Sequence, residues 1–280
     1  MAQKKELTKK EIIEKIVSKK EFSDLPRKDV EMVFDHFDRE EFLDEEKIKL
    51  SRDLLRKMYT AFVSGKLLNI KDKSPEWFLK KHISTKERVG TYEEVYSRCL
   101  EGLFPAHVKK GNISIYDLGS GINGFSYDEF LGSGFEVDYF GFEAVGQLVD
   151  LQNSWFKKES KSATCVKGSL FDLEEVKEFL SESFYLKEGY SQKKGKRVKV
   201  VFLFKTLDSL EMLKRNYSKD LLKEVFKLVD RVVISFATKS LVSKKKFFAE
   251  RLWLRKFLDE NFKIVDEFEA GIEKYIVVEK

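Results

Sequence analysis

Cysteine and proline are scarce in this chain of 280 residues, which holds two of the first and three of the second. Cys99 and Cys165 lie far apart with no C-x-x-C partner, so neither a disulfide framework nor a zinc site is expected. Both read as reduced core residues of an intracellular protein. Three prolines (Pro26, Pro75, Pro105) argue against long low-complexity linkers. No apolar run is long enough to cross a membrane, and Met1-Ala2-Gln3-Lys4-Lys5 has no apolar signal core. The expectation is a soluble, cytoplasmic, monomeric protein with no membrane partner and no metal. What abounds is charge and phenylalanine. Charged residues make up 36% with a net charge of +5, and there are 25 phenylalanines. That balance permits a polyanionic partner without demanding one. The length suffices for one large domain or two small ones.

From Thr8 to about Leu68 apolar residues recur at helical spacing (Ile12, Ile13, Ile16, Val17; then Val30, Val33, Phe34, Phe37) on a heavily charged background. Ser23-Asp24-Leu25-Pro26 reads as a capped helix start with an early proline, and Asp44 to Val63 as a further amphipathic helix. No strand pattern precedes Ile113. From there strands alternate with helices. The strand candidates are Ile113–Leu118, Glu136–Phe142, Ala163–Lys167, Val198–Phe204, Arg231–Phe236, Phe262–Phe268 and Lys274–Val278. Helical patterns at Leu173–Ser181, Lys219–Leu228 and Lys244–Asn261 lie between them, and Gly189 to Arg197 reads as a mobile, lysine-rich loop. The alternation predicts a mainly parallel, doubly wound sheet. The last two strands are joined only by Glu269 to Glu273, too short for a crossover, which predicts an antiparallel hairpin. The chain thus divides into a helical part with a connecting segment, 1–108, and an α/β domain, 109–280.

The first strand breaks into Asp117-Leu118-Gly119-Ser120-Gly121-Ile122-Asn123-Gly124. Gly119 to Gly124 matches the dinucleotide fingerprint G-x-G-x-x-G, with Glu143 at about the expected distance beyond. Asp117 argues against a dinucleotide, because a carboxylate at this turn repels a pyrophosphate. S-adenosylmethionine brings an ammonium there instead, which a carboxylate attracts. A mainly parallel sheet ending in an antiparallel hairpin also looks like a class I methyltransferase.

Further candidates stand at later strand ends. Glu143 closes the second strand, where a carboxylate can accept both ribose hydroxyls. Asp172 follows the third, where it serves as a helix N-cap, an acceptor for the adenine amine, or both. Phe202-Leu203-Phe204-Lys205-Thr206-Leu207 lacks the Asn/Asp-Pro-Pro-aromatic signature of exocyclic-amine methylation. A ring nitrogen such as guanine N7 has a free lone pair and loses no proton, so its attack on a sulfonium methyl runs on positioning and electrostatics. Ser235-Phe236-Ala237-Thr238-Lys239-Ser240-Leu241, followed by Lys244, Lys245 and Lys246, puts hydroxyls and lysines at the same sheet edge, suited to a phosphate backbone. Ser84-Thr85…Glu87-Arg88 reads by itself as a capped helix start.

Taken together, His82-x-Ser84-Thr85-x-Glu87-Arg88, Asp117-Leu118-Gly119-x-Gly121-x-Asn123, Lys205-Thr206-Leu207-x-x-Leu210-Glu211 and Ser235-Phe236-x-Thr238-x-Ser240-Leu241 resemble the aminoglycoside-resistance 16S rRNA methyltransferases. Order and spacing match over most of the chain. The resemblance implies a class I S-adenosylmethionine domain (Rossmann-like α/β, a seven-stranded sheet ending in the hairpin) behind an N-terminal helical domain that docks on 16S rRNA in the assembled small ribosomal subunit. It implies methylation of guanine N7 in the decoding A site. Arg88 would hold the cofactor carboxylate, Asp117, Gly119 and Gly121 the methionine end, Glu143 the ribose, and Asp172 with Leu173 the adenine. Thr206 and Leu207 would line the pocket, with Lys205 and Ser235 as the catalytic candidates beside the flipped base. Gly124 stands where that family has proline, a change that loosens the turn. Phosphate contacts are expected from Lys9, Lys10, Lys19, Lys20, Arg27, Lys28, Lys66, Lys71, Lys80 and Lys81, together with Lys239 and Lys244 to Lys246. The rival readings are a small-molecule methyltransferase with a helical lid and a non-catalytic RNA-binding relative; a nicotinamide oxidoreductase ranks last.

Overall fold

The computed structural model describes residues 7–59, 73–105, 111–189, 197–238 and 251–280. The first helices are α1 (Lys9–Val17), α2 (Arg27–Phe37) and α3 (Asp44–Met58). Thr8 starts α1 with a reciprocal capping box: its side chain accepts from Glu11 N–H while the Glu11 carboxylate takes the Thr8 N–H at 2.7 Å. The expected cap of α2 does not form. Ser23 Oγ donates to the Lys20 carbonyl at 3.0 Å, Asp24 pairs with Lys167 at 2.8 Å, and Pro26 opens the helix without a side-chain cap. Ile16, Val30, Val33, Phe34 and Leu55 close the space between the three helices.

Two more helices follow, α4 (Pro75–Lys81) and α5 (Tyr92–Leu100). Helix α5 falls within 1–108, yet it packs against the sheet: the Tyr96 ring stacks on Phe130 at 3.9 Å and on Phe202 at 5.8 Å. No strand precedes Asn112 among the described residues, and no described helix is long and apolar enough to cross a membrane.

Seven strands form one sheet: β1 (Asn112–Leu118), β2 (Glu136–Glu143), β3 (Ala163–Lys167), β4 (Arg197–Phe204), β5 (Arg231–Ala237), β6 (Lys263–Ala270) and β7 (Glu273–Glu279). Their order is β3-β2-β1-β4-β5-β7-β6, parallel through β5 and antiparallel at β7 and β6. The expected fold class holds: a class I methyltransferase sheet with a terminal antiparallel hairpin. The hairpin turn is tighter than the sequence suggests, only Gly271-Ile272, with Gly271 at φ +61°. The remaining helices are α6 (Gly146–Lys158), α7 (Leu173–Phe179), α8 (Glu182–Lys187), α9 (Leu207–Leu213), α10 (Tyr217–Leu228) and α11 (Leu252–Asn261). The helix expected over Leu173–Ser181 forms over Leu173–Phe179, and Ser181 caps the separate α8 by accepting from Phe184 N–H. The start of the helix expected at Lys244 lies outside the described residues, as do Lys66, Lys71, Lys239, Lys245 and Lys246 and most of the Gly189–Arg197 loop.

The strand order reverses between β1 and its neighbours β2 and β4. A crevice opens there, outside the carboxyl ends of the strands, where open α/β sheets bind ligands.

Candidate functional site

The glycine loop leaves β1 at this crevice. Gly119 has φ +75° and Gly121 φ +54°, conformations that a side chain rarely adopts. A Cβ on Gly119 would also stand 3.0 Å from Thr206, so only glycine leaves the crevice open. An irregular 3₁₀ stretch, Asn123–Ser133, follows the loop. A dinucleotide fold places an α-helix N-terminus here to receive the pyrophosphate, and this chain has none.

Polar groups from elsewhere clamp the loop. Glu143 Oε2 accepts from Gly121 N–H at 2.8 Å, and its Oε1 accepts from Val145 N–H at 2.9 Å. Gln152, fully buried, donates to the Gly121 carbonyl at 2.9 Å and accepts from Gly124 N–H at 3.0 Å. The turn is therefore not loosened by the missing proline. Gly124 supplies an N–H that proline lacks, and a side chain at that position would collide with Gln152 and Phe156.

Asp117 lies under the loop, almost fully buried. Its Oδ2 accepts from Asn123 Nδ2 and from the Tyr139 hydroxyl, both at 2.8 Å. Burial outweighs these bonds and pushes its carboxyl up to about 6. Burial raises the Glu143 carboxyl as well.

Across the crevice the charges answer one another. Arg88, only 2% exposed, donates from Nε to Glu273 at 3.0 Å and from Nη1 to Asn123 at 2.9 Å, and lies over the Phe204 ring. Lys205 pairs with Glu87 and, at 3.2 Å, with Glu273. It holds a left-handed backbone, φ +58°, and donates its N–H to the Ser235 carbonyl at 3.1 Å. Burial opposes ionisation of Glu273, but Arg88 and Lys205 outweigh it and hold its carboxyl below the usual range. His82 also lines the crevice; its own burial and the charges of Arg88 and Lys205 drive it down to about 3, so it is neutral at pH 7.

Most of the residues expected at the site gather at this crevice, in differing ways. Gly119, Gly121, Glu143, Lys205 and Thr206 line it. Leu207 is buried at the start of α9. Arg88 and Asp117 lie beneath the surface. Asp172 does not line the crevice: it caps α7, accepting from Glu174 and Glu175 N–H, and pairs with Lys28 at 2.7 Å. Leu173 is the first residue of that helix. Ser235, expected beside the target base, is completely buried and donates its hydroxyl to Glu273. It supports the wall behind Lys205 and does not line the crevice.

The helical segment adds groups not anticipated from sequence. Asp29, Met58 and Tyr59 line the crevice, and Tyr59 donates its hydroxyl to Asp29 at 2.7 Å. Of the expected phosphate contacts, Lys10, Lys19 and Lys20 are exposed. Lys9 pairs with Asp35, Arg27 with Glu31, Lys28 with Asp172 and Lys80 with Glu76, while Lys81 lies over the Trp77 ring.

These features together define a class I methyltransferase fold with an N-terminal helical segment over the crevice. No protein-family model matches the chain, and no curated protein matches it in sequence. Solved structures do match in fold. The 16S rRNA methyltransferase RmtF, in complex with S-adenosyl-L-homocysteine, aligns with a TM-score of 0.72 at 17% identity, covering 98% of this chain and 99% of that one. The 16S rRNA methylase RmtB aligns at 0.71 and 17% identity over 97% and 98% of the two chains. An rRNA methylase from Escherichia coli aligns at 0.70 and 17% identity over 97% and 99%. The fold likeness therefore runs through the helical segment as well as the sheet.

Proposed function

We propose that the protein is an S-adenosylmethionine-dependent 16S rRNA methyltransferase acting on guanine N7 in the decoding A site of the small subunit. The observation that carries this reading is the buried Asp117 at a glycine loop with no helix dipole behind it, in a chain whose whole length has the fold of RmtF. The residues present fit the cofactor. Both bonds to Asp117 fall on Oδ2, so Oδ1 is the atom that accepts the methionine ammonium. Gly119 and Gly121 let the backbone close on the chain of the ligand, Thr206 walls it, and Glu143 accepts from the ribose. Arg88 acts through Asn123, which it holds in the orientation that donates to Asp117.

When bound, S-adenosylmethionine supplies a methyl group on a sulfonium. Guanine N7 attacks with a lone pair it already has, so no residue needs to remove a proton. That suits a crevice wall where Lys205 is tied to two carboxylates and serves to position rather than to exchange protons. RNA is favoured over a small substrate by a second cleft, lined by Lys20, Lys73 and Lys158 together with Trp155 and Asp150. Lysines along a cleft suit a phosphate backbone.

The test is to incubate purified small subunits with the protein and methyl-labelled S-adenosylmethionine, then map modified bases by borohydride–aniline cleavage. One cleavage at an A-site guanine is expected. Label at another base position would remove the N7 assignment, and no label in subunits would remove rRNA as substrate.

A further inference from the structure

We infer that Asp29, on helix α2 of the helical segment, recognises the exocyclic amine of the cofactor's adenine. This inference rests on the cofactor reading above. The sheet order sets out the ligand's direction. The methionine end belongs at β1 and β4, where Asp117, Gly119 and Thr206 lie, and the ribose belongs at Glu143 on β2. The strand beyond β2 is β3, so the base lies over the carboxyl end of β3, at Ser169 and Leu170. Asp172, the nearest carboxylate in sequence, is turned away to cap α7 and to hold Lys28. The carboxylate at this end of the crevice comes instead from Asp29, only 1% exposed and lining the same crevice as Glu143 and Leu170.

Asp29 is held in place for such a role. The Ser169 hydroxyl donates to its Oδ1 and the Tyr59 hydroxyl to its Oδ2. Ser169 lies just past β3, 140 positions along the chain from Asp29, so the contact ties the helical segment to the base end of the sheet. A carboxylate oxygen accepts two hydrogen bonds, and each here has taken one, which leaves an acceptor for an amine N–H. A buried acceptor in fixed geometry rejects a ligand that lacks the matching donor more strongly than an apolar wall does. The helical segment thereby completes the cofactor site.

The experiment measures binding by calorimetry of S-adenosylhomocysteine and of its purine-riboside analogue, which lacks only the exocyclic amine. The wild type is expected to bind the analogue at least about tenfold more weakly. Asp29→Ala should bring the two affinities to within about twofold, Asp29→Asn should narrow the gap, and Asp172→Ala should leave it as in the wild type. Equal affinities in the wild type would overturn the inference without any variant. So would a gap that survives Asp29→Ala, or one abolished by Asp172→Ala. If Asp29→Ala does not fold, the wild-type ratio and Asp172→Ala still decide. Failure of the wild type to bind either ligand would instead remove the cofactor reading itself.

Discussion

Along the β1–β2 side of the crevice each carboxylate is held by neutral donors, whereas along the β4–β7 side charges hold one another. Asp117 takes an amide and a phenol, and Glu143 takes two backbone N–H groups. Opposite them, Glu273 is shared by Arg88, Lys205 and Ser235. A carboxylate among neutral dipoles remains available to a cationic ligand at the cost of its own desolvation. A carboxylate between two cations is satisfied already and fixes geometry. On the proposed reading, the first side binds the cofactor and the second stays still.

Three substitutions sharpen this contrast. Arg88→Ala should have the largest effect, because it leaves Glu273 and Asn123 buried with fewer partners. A loss of about 3–5 kcal/mol in urea unfolding is expected, and a loss under 1 kcal/mol would break the claim that the ion network holds this wall. Asp117→Asn should act in the opposite direction. The fold raises the Asp117 carboxyl from 3.8 to about 6. Its stabilising contribution is therefore complete below pH 3.8 and lost as pH rises through 6, roughly 3 kcal/mol by pH 7. The asparagine variant should be more stable than wild type at pH 7, lose that advantage near pH 4, and bind S-adenosylmethionine far more weakly. A variant less stable than wild type at both pH values would show that the charge is not under strain. The smallest effect belongs to the surface. Lys28→Ala breaks an ion pair whose lysine side chain is 48% exposed, and should change stability by under about 1 kcal/mol, less at high salt.

The same contrast explains what could be read in advance. Asp117 and Glu143 stand at the ends of consecutive strands with glycines between them, so a local pattern carries both their position and their chemistry. Most of the strands were legible for a similar reason, being short apolar runs between breaks, whereas β6 carries Asp266, Glu267 and Glu269 and is placed by the short turn to β7. Glu273 carries no such mark. It lies beside a tight turn, and its partner Arg88 is 185 positions away. The sheet brings it in by pairing it with Ala237 at the end of β5. Asp29 was hidden by the period of α2, where it sits among Val30, Val33 and Phe34 as one more charge on an amphipathic helix. Ser235 could not be read in this way, because position at a strand end does not say whether a side chain is buried.

Positions 124 and 152 now form a linked pair in any exchange of residues. Proline at 124, which would copy the resistance methyltransferases, removes the N–H that Gln152 accepts and drives a ring toward Phe156. A shorter residue at 152 alone strands the Gly121 carbonyl and the Gly124 N–H together. Each step by itself loses hydrogen bonds, so the two positions have to change together. Grafting the familiar loop sequence onto this chain would require helix α6 to change with it.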